Sequence, residues 1–279
     1  MLIFIFLNAN KPNSFDIASE ICTFFISQKI TVVSPDSYAQ RIGALPLEPK
    51  HLKDITFAIS LGGDGTILRL INHYPEMQGA ILGINLGHLG FMAAIPADKI
   101  YDSLKHLIDH DYKIEERVMI KGTDSKGTPY LAANDIVFHR GQNPSLVELE
   151  IYIDDNYLNT FQADGIIVST PTGSTAYSLA AGGPILTPDL DAFVLTPINP
   201  HTISNRPIVV SSHETIKVKY LSDYLPIEVR SDGMSLHTMS TGDSFQLTKA
   251  ERKYRLVNLT NQNFFFTLRS KLNWTGKLR

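Results

Sequence analysis

The chain of 279 residues is poor in several features that would assign it to a specialised class of protein. It has one cysteine, Cys22, so no disulfide can form within the chain, which is typical of proteins from a reducing compartment. It has no hydrophobic run long enough for a membrane span or a signal sequence, since the apolar run at residues 1–7 is too short for either. We therefore interpret residues 1–7 as a buried strand and expect a cytoplasmic protein.

Strong charge of either sign is also absent. The net charge is -3 and the pI about 6.3, so we expect neither a nucleic-acid partner nor a membrane partner. The nine histidines include no His-Glu-x-x-His motif and no paired spacing for zinc, and no Gly-x-Ser-x-Gly motif is present. Zinc and serine hydrolases are therefore disfavoured. A hydrophobic content of 43% predicts a globular protein with a substantial core.

One glycine-rich stretch stands out, Ser60-Leu61-Gly62-Gly63-Asp64-Gly65-Thr66. It follows an apolar run at residues 55–59 and precedes apolar residues at helical spacing, which predicts a strand, a turn and a helix with Thr66 as N-cap. A helix start offers unpaired N–H groups to an anion, and glycines let a phosphate approach closely. The stretch matches neither G-x-x-x-x-G-K-[ST] nor G-x-G-x-x-G.

Asp64 is the unusual member of this turn, because a carboxylate repels phosphate. It needs a compensating task, such as holding Mg²⁺ or taking a proton from a hydroxyl that attacks a phosphoryl group. The alternative is a turn or capping aspartate in an ordinary strand–helix loop. We favour the functional interpretation.

The first part of the chain alternates predicted strands with predicted helices. This order predicts a doubly wound, Rossmann-like parallel α/β domain over residues 1–115, with ligands at the carboxyl ends of the strands. Residues 35–53 contain three prolines and are expected to be irregular. The predicted strands are residues 2–7, 31–33, 55–59 and 80–85, and the predicted helices are residues 14–28, 67–73 and 98–110.

After about residue 113 short alternating runs replace the helical periodicity. They predict a mostly β domain over residues 116–262, as a sandwich or layered sheet. We expect the tail, residues 263–279, to form a helix that packs back on the N-terminal domain or to bring cations near a phosphate. The predicted strands of the β domain are residues 118–121, 131–138, 146–153, 165–169, 208–210, 215–220, 227–231, 244–247 and 254–259.

A run rich in hydroxyls and glycine, Thr170–Ile185, follows one of these strands. A capped helix explains one hydroxyl, but not four in six residues. We expect the hydroxyls of Thr172, Ser174 and Thr175 to bind a base or ribose and Tyr177 to stack or donate.

Two further polar pairs, Asn134-Asp135 and Asp164-Gly165, precede or begin strands. Each is compatible with a tight turn and with a ligand contact.

Together these motifs resemble the NAD kinase family, from about residue 55 to the end of the chain. The Gly-Gly-Asp-Gly turn is shared with phosphofructokinases and diacylglycerol-type lipid kinases, and Thr170–Ile185 makes the resemblance specific. Further matching segments are Gly87-His88-Leu89-Gly90-Phe91, Leu195-Thr196-Pro197, Asn205-Arg206-Pro207 and Lys271-Leu272-Asn273-Trp274.

The resemblance implies transfer of the ATP γ-phosphoryl group to the 2′-hydroxyl of the adenosine ribose of NAD, giving NADP, with Mg²⁺ or another divalent cation. It implies Asp64 as general base and a homodimer or homotetramer, and leaves the metal ligands unknown. On the phosphate-donor side it implies Gly62, Gly63, Gly65, Thr66 and Arg69. As NAD-binding residues it implies Asp64, Gly65, Phe91, Asn134, Asp135, Gln162, Asp164, Thr172, Thr175, Ala176, Tyr177, Ser178, Ala180 and Asp232.

The chain departs from the family pattern at three positions. Asp135 stands where relatives commonly carry glutamate, Gln162 where many carry a basic residue, and Ala180 where some carry serine. Two other functions stay open: a related lipid or sugar kinase, and a non-catalytic NAD(P)-binding sensor. The sequence does not decide between ATP and polyphosphate, or between NAD and NADH.

Overall fold

The computed structural model describes residues 1–259 and 263–274, apart from the side chains of Ser235 and Leu236. The chain divides into two compact units. Unit 1 contains Met1–Glu116 together with the chain from Tyr254 onward, and unit 2 contains Arg117–Lys253.

Unit 1 is an α/β unit built on one sheet. Its strands are β1 (Leu2–Leu7), β2 (Thr31–Ser34), β3 (Leu45–Pro46), β4 (Phe57–Gly62), β5 (Ala80–Asn85), β6 (Ile95–Pro96), β7 (Lys113–Arg117) and β20 (Tyr254–Asn258). Its helices are α1 (Ser14–Ser27), α2 (Asp36–Ile42), α3 (Asp64–His73), α4 (Ile100–Ile108) and α6 (Phe264–Leu272), with 3₁₀ turns at Pro49–His51 and Ala97–Lys99.

The strand order of this sheet is β3-β2-β1-β4-β5-β20-β7, and β6 pairs with β5. Strands β1 and β4 run parallel, with Leu7 opposite Leu61, and β4 and β5 run parallel, with Gly62 opposite Asn85. Every residue of β4 and β5 is buried, as expected for parallel strands covered on both faces. The predicted parallel α/β fold is confirmed.

Helix α2 lies in the segment that we expected to be irregular, so that prediction is wrong. The prolines flank the local elements without interrupting them. Pro35 is the N-cap of α2, Pro46 ends the short strand β3, and Pro49 begins a 3₁₀ turn. Proline is compatible with all three positions because none needs a helix-interior N–H.

Strand β20 belongs to the sheet of unit 1, although we assigned residues 254–259 to the β domain. It pairs in parallel with β5, with Leu256 opposite Ile81. Tyr254, Leu256 and Val257 are buried there. The correction has a simple origin, because a strand pattern is local and does not reveal which sheet the strand joins.

Unit 2 is a β unit whose strands form two six-stranded antiparallel sheets, with orders β15-β14-β13-β10-β17-β18 and β12-β11-β16-β19-β8-β9. Its strands are β8 (Ile120–Thr123), β9 (Pro129–Ala132), β10 (Asp135–His139), β11 (Val147–Ile153), β12 (Asn156–Ala163), β13 (Gly165–Ser169), β14 (Ala192–Ile198), β15 (Ile208–Ser211), β16 (Ile216–Tyr220), β17 (Ile227–Ser231), β18 (Ser235–Met239) and β19 (Ser244–Lys249). A 3₁₀ turn (Gly173–Thr175) and the short helix α5 (Tyr177–Ala180) follow β13.

The core of unit 2 lies between its two sheets. In β16 the buried residues Ile216, Val218 and Tyr220 alternate with more exposed lysines, which is the pattern of a sheet covered on one face. Their cluster includes Phe138 and Ile166 from the other sheet. The predicted mostly β architecture is confirmed.

Four details of the predicted β pattern are wrong. The run 131–138 forms two strands, β9 and β10, separated by Ala133 and Asn134. Strands β12, β14 and β18 were not predicted. β12 was missed because its many polar residues obscure the alternating apolar pattern, and β14 because it contains Pro197.

Within the described ranges, 1–259 and 263–274, no helix has both the length and the apolar character needed to cross a membrane.

The place of β20 in unit 1 predicts unequal effects of two C-terminal truncations. A chain ending at Leu259 keeps the strand, whereas a chain ending at Lys253 lacks the strand that pairs with β5 on the side away from β4. We expect the shorter chain to lose far more stability, since it also exposes the buried side chains of β5. Urea unfolding of both chains measures the difference. Equal midpoints would contradict the assignment of β20.

Candidate functional site

The glycine turn joins β4 to α3 in unit 1. Gly63 is the N-cap with extended backbone, and α3 begins at Asp64, so the prediction of Thr66 as N-cap is wrong. Thr66 is the third helical residue, and its hydroxyl accepts a hydrogen bond from the Gly63 N–H at 3.4 Å. A Cβ on Gly62 would lie 2.1 Å from the Thr66 Oγ1, so this position requires glycine.

The Asp64 carboxylate accepts three backbone hydrogen bonds from one loop. Its Oδ2 accepts the N–H of Phe91 at 2.8 Å. Its Oδ1 accepts the N–H groups of Met92 at 3.0 Å and Ala93 at 2.8 Å. Charged acceptors make the stronger class of hydrogen bond, so the loop fixes the position of this carboxylate.

Asn85, the last residue of β5, organises the loop that reaches Asp64. Its Oδ1 accepts the Gly87 N–H at 2.6 Å, and its Nδ2 donates to the carbonyl oxygens of His88 and Ala93. Gly90 brings the loop close, because a Cβ there would lie 2.1 Å from the Asp64 Oδ1. The glycine pattern does not indicate the role of Asn85.

Phe91 lies half-buried against helix α6. Its ring centroid is 5.9 Å from that of Phe264, and the Lys271 Nζ lies 4.9 Å from the centre of the Phe91 ring. Asn263 caps α6 by accepting the N–H of Phe266 at 2.7 Å. Lys277 and Arg279, two further cations of the tail, lie outside the described residues.

Unit 2 contains a cavity of about 430 Å³. It brings together five of the predicted site residues, Asn134, Asp135, Ala176, Tyr177 and Asp232. The cavity is also lined by Val137, His139, Glu228, Arg230 and Gly233.

Asp232 holds the segment between β9 and β10. Its backbone is left-handed, with φ of +50°. Its carboxylate accepts the N–H groups of Ala133 at 2.9 Å, Asn134 at 2.7 Å and Asp135 at 3.2 Å. Its own N–H donates to the Asp135 carbonyl at 2.9 Å. These bonds fix two cavity residues whose side chains carry polar groups.

Asp135 and Asn134 give the cavity its polar character. Asp135 is buried, with 5% of its surface exposed. Burial, and then the negative charge of Asp232, raise the pKa of Asp135 to about 7. The Asn134 Oδ1 is buried and has no hydrogen-bond partner among the described residues. An unpaired buried acceptor is costly, so a ligand donor at this position is favoured.

Asp164 and Gln162 do not line this cavity. The Asp164 carboxylate accepts hydrogen bonds from the Asn199 Nδ2 at 3.0 Å and the Arg140 Nε at 2.7 Å. Asn199, and then Arg140, hold the pKa of Asp164 below its usual value. Gln162 donates to Glu148 at 2.6 Å. The sequence pattern did not single out Arg140 or Asn199.

Most hydroxyls of the Thr170–Ile185 run make hydrogen bonds to nearby protein groups that stabilise the turn. We expected Ser174 and Thr175 to face a ligand, but both donate to backbone carbonyls nearby, and Ser178 is fully buried. Ala180 is exposed at the end of α5 and Thr172 is buried. The partners are the carbonyl oxygens of Ala133 for Thr170 (2.7 Å), Pro171 for Ser174 (2.6 Å) and Thr172 for Thr175 (3.1 Å), and the Thr196 hydroxyl for Ser178 (2.8 Å).

This turn packs tightly against Asn134, which lies in the segment between β9 and β10 and lines the cavity. A Cβ on Gly173 would lie 2.1 Å from the Asn134 carbonyl oxygen, and the Thr170 N–H donates to the same oxygen at 2.8 Å. The turn therefore helps to position Asn134.

No group of three or more histidine, cysteine, aspartate or glutamate side chains in the described part of the chain is arranged to hold a metal ion.

Two family models match the chain. The ATP-NAD kinase N-terminal domain matches residues 3–112, and the ATP-NAD kinase C-terminal domain matches residues 133–259. An NAD kinase of Protochlamydia amoebophila is 52% identical over 278 residues, covering 100% of both chains. An NAD kinase of Geobacter metallireducens is 34% identical over 277 residues, covering 98% of each chain.

Two solved structures share the fold. Yeast NADH kinase complexed with NADH superposes with a TM-score of 0.92 at 26% identity, covering 100% of this chain and 89% of that one. An NAD kinase from Archaeoglobus fulgidus in complex with ATP superposes with a TM-score of 0.79 at 23% identity, covering 98% and 99%.

The fold and these matches define the class of protein, an enzyme that transfers phosphoryl groups. The chain belongs to the NAD kinase family. The resemblance found in the sequence is confirmed.

The raised pKa of Asp135 predicts a pH-dependent stability difference between the wild type and Asp135→Asn. In the unfolded chain this carboxyl ionises near pH 4, and in the folded chain near pH 7. The folded state therefore binds the extra proton between these values, and the free energy of unfolding falls as pH rises through this window. Asp135→Asn has no ionisable group at this position, so its free energy of unfolding does not fall in this way. Its stability relative to the wild type therefore increases from pH 5 to pH 8.

Urea unfolding at both pH values measures this difference, with the exposed Asp155→Asn as the matched control. A difference between Asp135→Asn and wild type that stays the same at pH 5 and pH 8 would show that Asp135 ionises normally.

Proposed function

We propose that this chain transfers the γ-phosphoryl group of ATP to the 2′-hydroxyl of the adenosine ribose of NAD, giving NADP, with Asp64 as general base. The observation that carries the proposal is the Asp64 carboxylate, oriented by three backbone N–H groups beside the first turn of α3. The chain's similarity to proteins named NAD kinase supports the choice of substrates.

The hydrogen bonds to Asp64 leave one oxygen better able to accept a proton. The Oδ1 accepts two N–H groups, whereas the Oδ2 accepts one. Since each carboxylate oxygen has about two lone-pair sites, the Oδ2 retains a site for a hydroxyl. A ribose hydroxyl is a very weak acid, and its attack on phosphorus is assisted by a carboxylate within hydrogen-bond reach.

The donor phosphates bind on the other side of the turn in this proposal. The Thr66 N–H donates to the Gly63 carbonyl at 2.8 Å, so the N–H groups of Asp64 and Gly65 are the first-turn donors left at the positive end of the α3 dipole. Gly62, Gly63 and Gly65 let the phosphates approach, while Thr66 shapes the turn and Arg69 lies farther along α3. Phosphoryl transfer then depends mainly on positioning and electrostatic stabilisation.

Mg²⁺ fits this arrangement as an ion held by few protein groups. It is commonly bound through substrate phosphates and waters with few protein groups, so the donor phosphates would supply most of its ligands here, since the remaining site on Asp64 faces the ribose hydroxyl in this proposal. When bound, the ion neutralises charge on the transferring phosphoryl group.

NAD binds in part at the unit 2 cavity in this proposal. The unpaired Asn134 Oδ1 accepts from a ribose hydroxyl or an exocyclic amine, and the exposed ring of Tyr177 offers a stacking surface. Contacts from Asp135 and Asp232, which line the same cavity, are proposed on the same basis, and the contact of Phe91 with NAD stays a prediction. Roles for Gln162, Asp164, Thr172, Thr175, Ala176, Ser178 and Ala180, the homodimer or homotetramer, and the cytoplasmic location stay predictions.

The direct test is product analysis of wild type and Asp64→Asn after incubation with NAD and Mg-ATP. We expect NADP from the wild type and a fall in kcat of roughly 10²- to 10⁴-fold in the variant, with NAD binding retained. The exposed Asp54→Asn serves as the matched control. Normal turnover by Asp64→Asn would show that Asp64 is not the base.

Gly90→Ala tests whether the position of the Asp64 carboxylate matters. The new Cβ would lie 2.1 Å from the Asp64 Oδ1, so the carboxylate must move. We expect kcat to fall at least 10-fold with little change in the KM for NAD, since misplaced catalytic groups cost rate.

The double variant Asp64→Asn/Gly90→Ala isolates this effect. If Gly90 acts through Asp64, the double variant is no slower than Asp64→Asn alone. Additive losses would assign Gly90 a separate role.

A further inference from the structure

We propose that Lys11 binds the donor phosphates, in a crevice of unit 1 where strands β1 and β4 end. The proposal rests on the proposed function and adds a residue that neither the glycine turn nor the family resemblance supplied. The glycine turn itself carries Asp64 and no lysine, so a lysine that contacts a triphosphate here belongs to a neighbouring segment.

The strand order of the sheet predicts a crevice at this position. From β1 the chain proceeds to β2 on one side, and from β4 it proceeds to β5 on the other side, as the order β3-β2-β1-β4-β5 shows. Ligands of open parallel sheets bind outside the carboxyl ends of strands where the winding direction reverses. Here that position lies between the loop after Leu7 and the turn after Gly62.

The loop after β1 is fixed against the glycine turn. The Asn8 N–H donates to the Leu61 carbonyl at 2.9 Å, and the Lys11 N–H donates to the Asn8 carbonyl at 3.0 Å. The Asn8 Cβ lies 3.2 Å from the position that a Cβ on Gly62 would occupy. Lys11 is therefore carried on a short turn that is tied to the last residues of β4.

The Lys11 ammonium group lies close to the loop after β5, which is the third loop at the carboxyl edge of the sheet. Its Nζ is 3.1 Å from the position of a Cβ on Gly87, which leaves room for the ammonium because Gly87 has none. Lys11 is half-buried, and no carboxylate of the described residues lies within ion-pair distance of it. A half-buried cation without an anionic partner favours an anionic ligand.

Lys11 therefore complements the groups already described at this edge. The first-turn N–H groups of α3 contact a phosphate through partial charges, and Lys11 adds a full positive charge from the adjacent loop. Asp64 lies at the same turn and faces the loop of residues 91–93, so its carboxylate is fixed by other donors.

The test compares Lys11→Met with the wild type by steady-state kinetics and by direct binding of ATP and of inorganic tripolyphosphate. We expect the KM for ATP and the dissociation constants of both ligands to rise about 10- to 100-fold, since a charged hydrogen bond is lost. The KM for NAD changes less than about twofold, and Lys11→Arg restores most of the ATP affinity. Lys53→Met, an exposed lysine before the amino end of β4, is the control.

Unchanged ATP and tripolyphosphate binding in Lys11→Met would overturn the proposal, as would equal losses for ATP and NAD. Thermal unfolding checks that Lys11→Met folds, and Lys11→Gln replaces it if not. If the wild type makes no NADP but Lys11→Met loses tripolyphosphate affinity, the phosphate site stands and the proposed reaction fails. If the wild type binds neither ATP nor tripolyphosphate, Lys11 has no such role.

Discussion

The Asp64 carboxylate and the three N–H groups of Phe91, Met92 and Ala93 form the interaction on which the site of unit 1 depends. A loop of this kind must satisfy its backbone N–H groups, and the carboxylate satisfies three of them at once. The same contacts limit the carboxylate to one position, which Gly90 permits by having no Cβ. The proposed catalytic group is therefore also a structural element, and its orientation is set before any ligand binds.

Unit 2 also contains an aspartate that accepts three backbone N–H groups, and there the contacts affect the pKa of a neighbouring carboxyl group. The Asp232 carboxylate accepts three successive N–H groups, from Ala133 to Asp135, and so fixes the polar segment that lines the cavity. Its charge also lies near the buried Asp135 and contributes to the raised pKa of that carboxyl group. The contacts that position this segment therefore also destabilise the ionised form of Asp135. Perturbed pKa values of this kind are common at binding sites.

The sequence predicted the parts of the structure that depend on local pattern. Apolar runs predicted β1, β4 and β5, and the glycine turn predicted the start of a helix after β4. Backbone donors leave no mark on a sequence, so the partners of Asp64 and Asp232 could not be predicted. The place of β20 was also missed, because pairing with β5 joins residues far apart in the chain. The hydroxyl-rich run also does not reveal that Ser174 and Thr175 donate to backbone carbonyls of their own turn.

The central claim is that Asp64 takes the proton from the ribose 2′-hydroxyl through its Oδ2. The most direct test is a crystal structure with NAD and a non-hydrolysable ATP analogue, in which the distance from the Asp64 Oδ2 to the ribose 2′-oxygen is measured. A general base must lie within hydrogen-bond reach of the proton that it takes, so we predict about 2.6–3.2 Å while the Oδ1 keeps its two backbone donors. A separation beyond about 5 Å, with another side chain on the 2′-hydroxyl, would contradict the account.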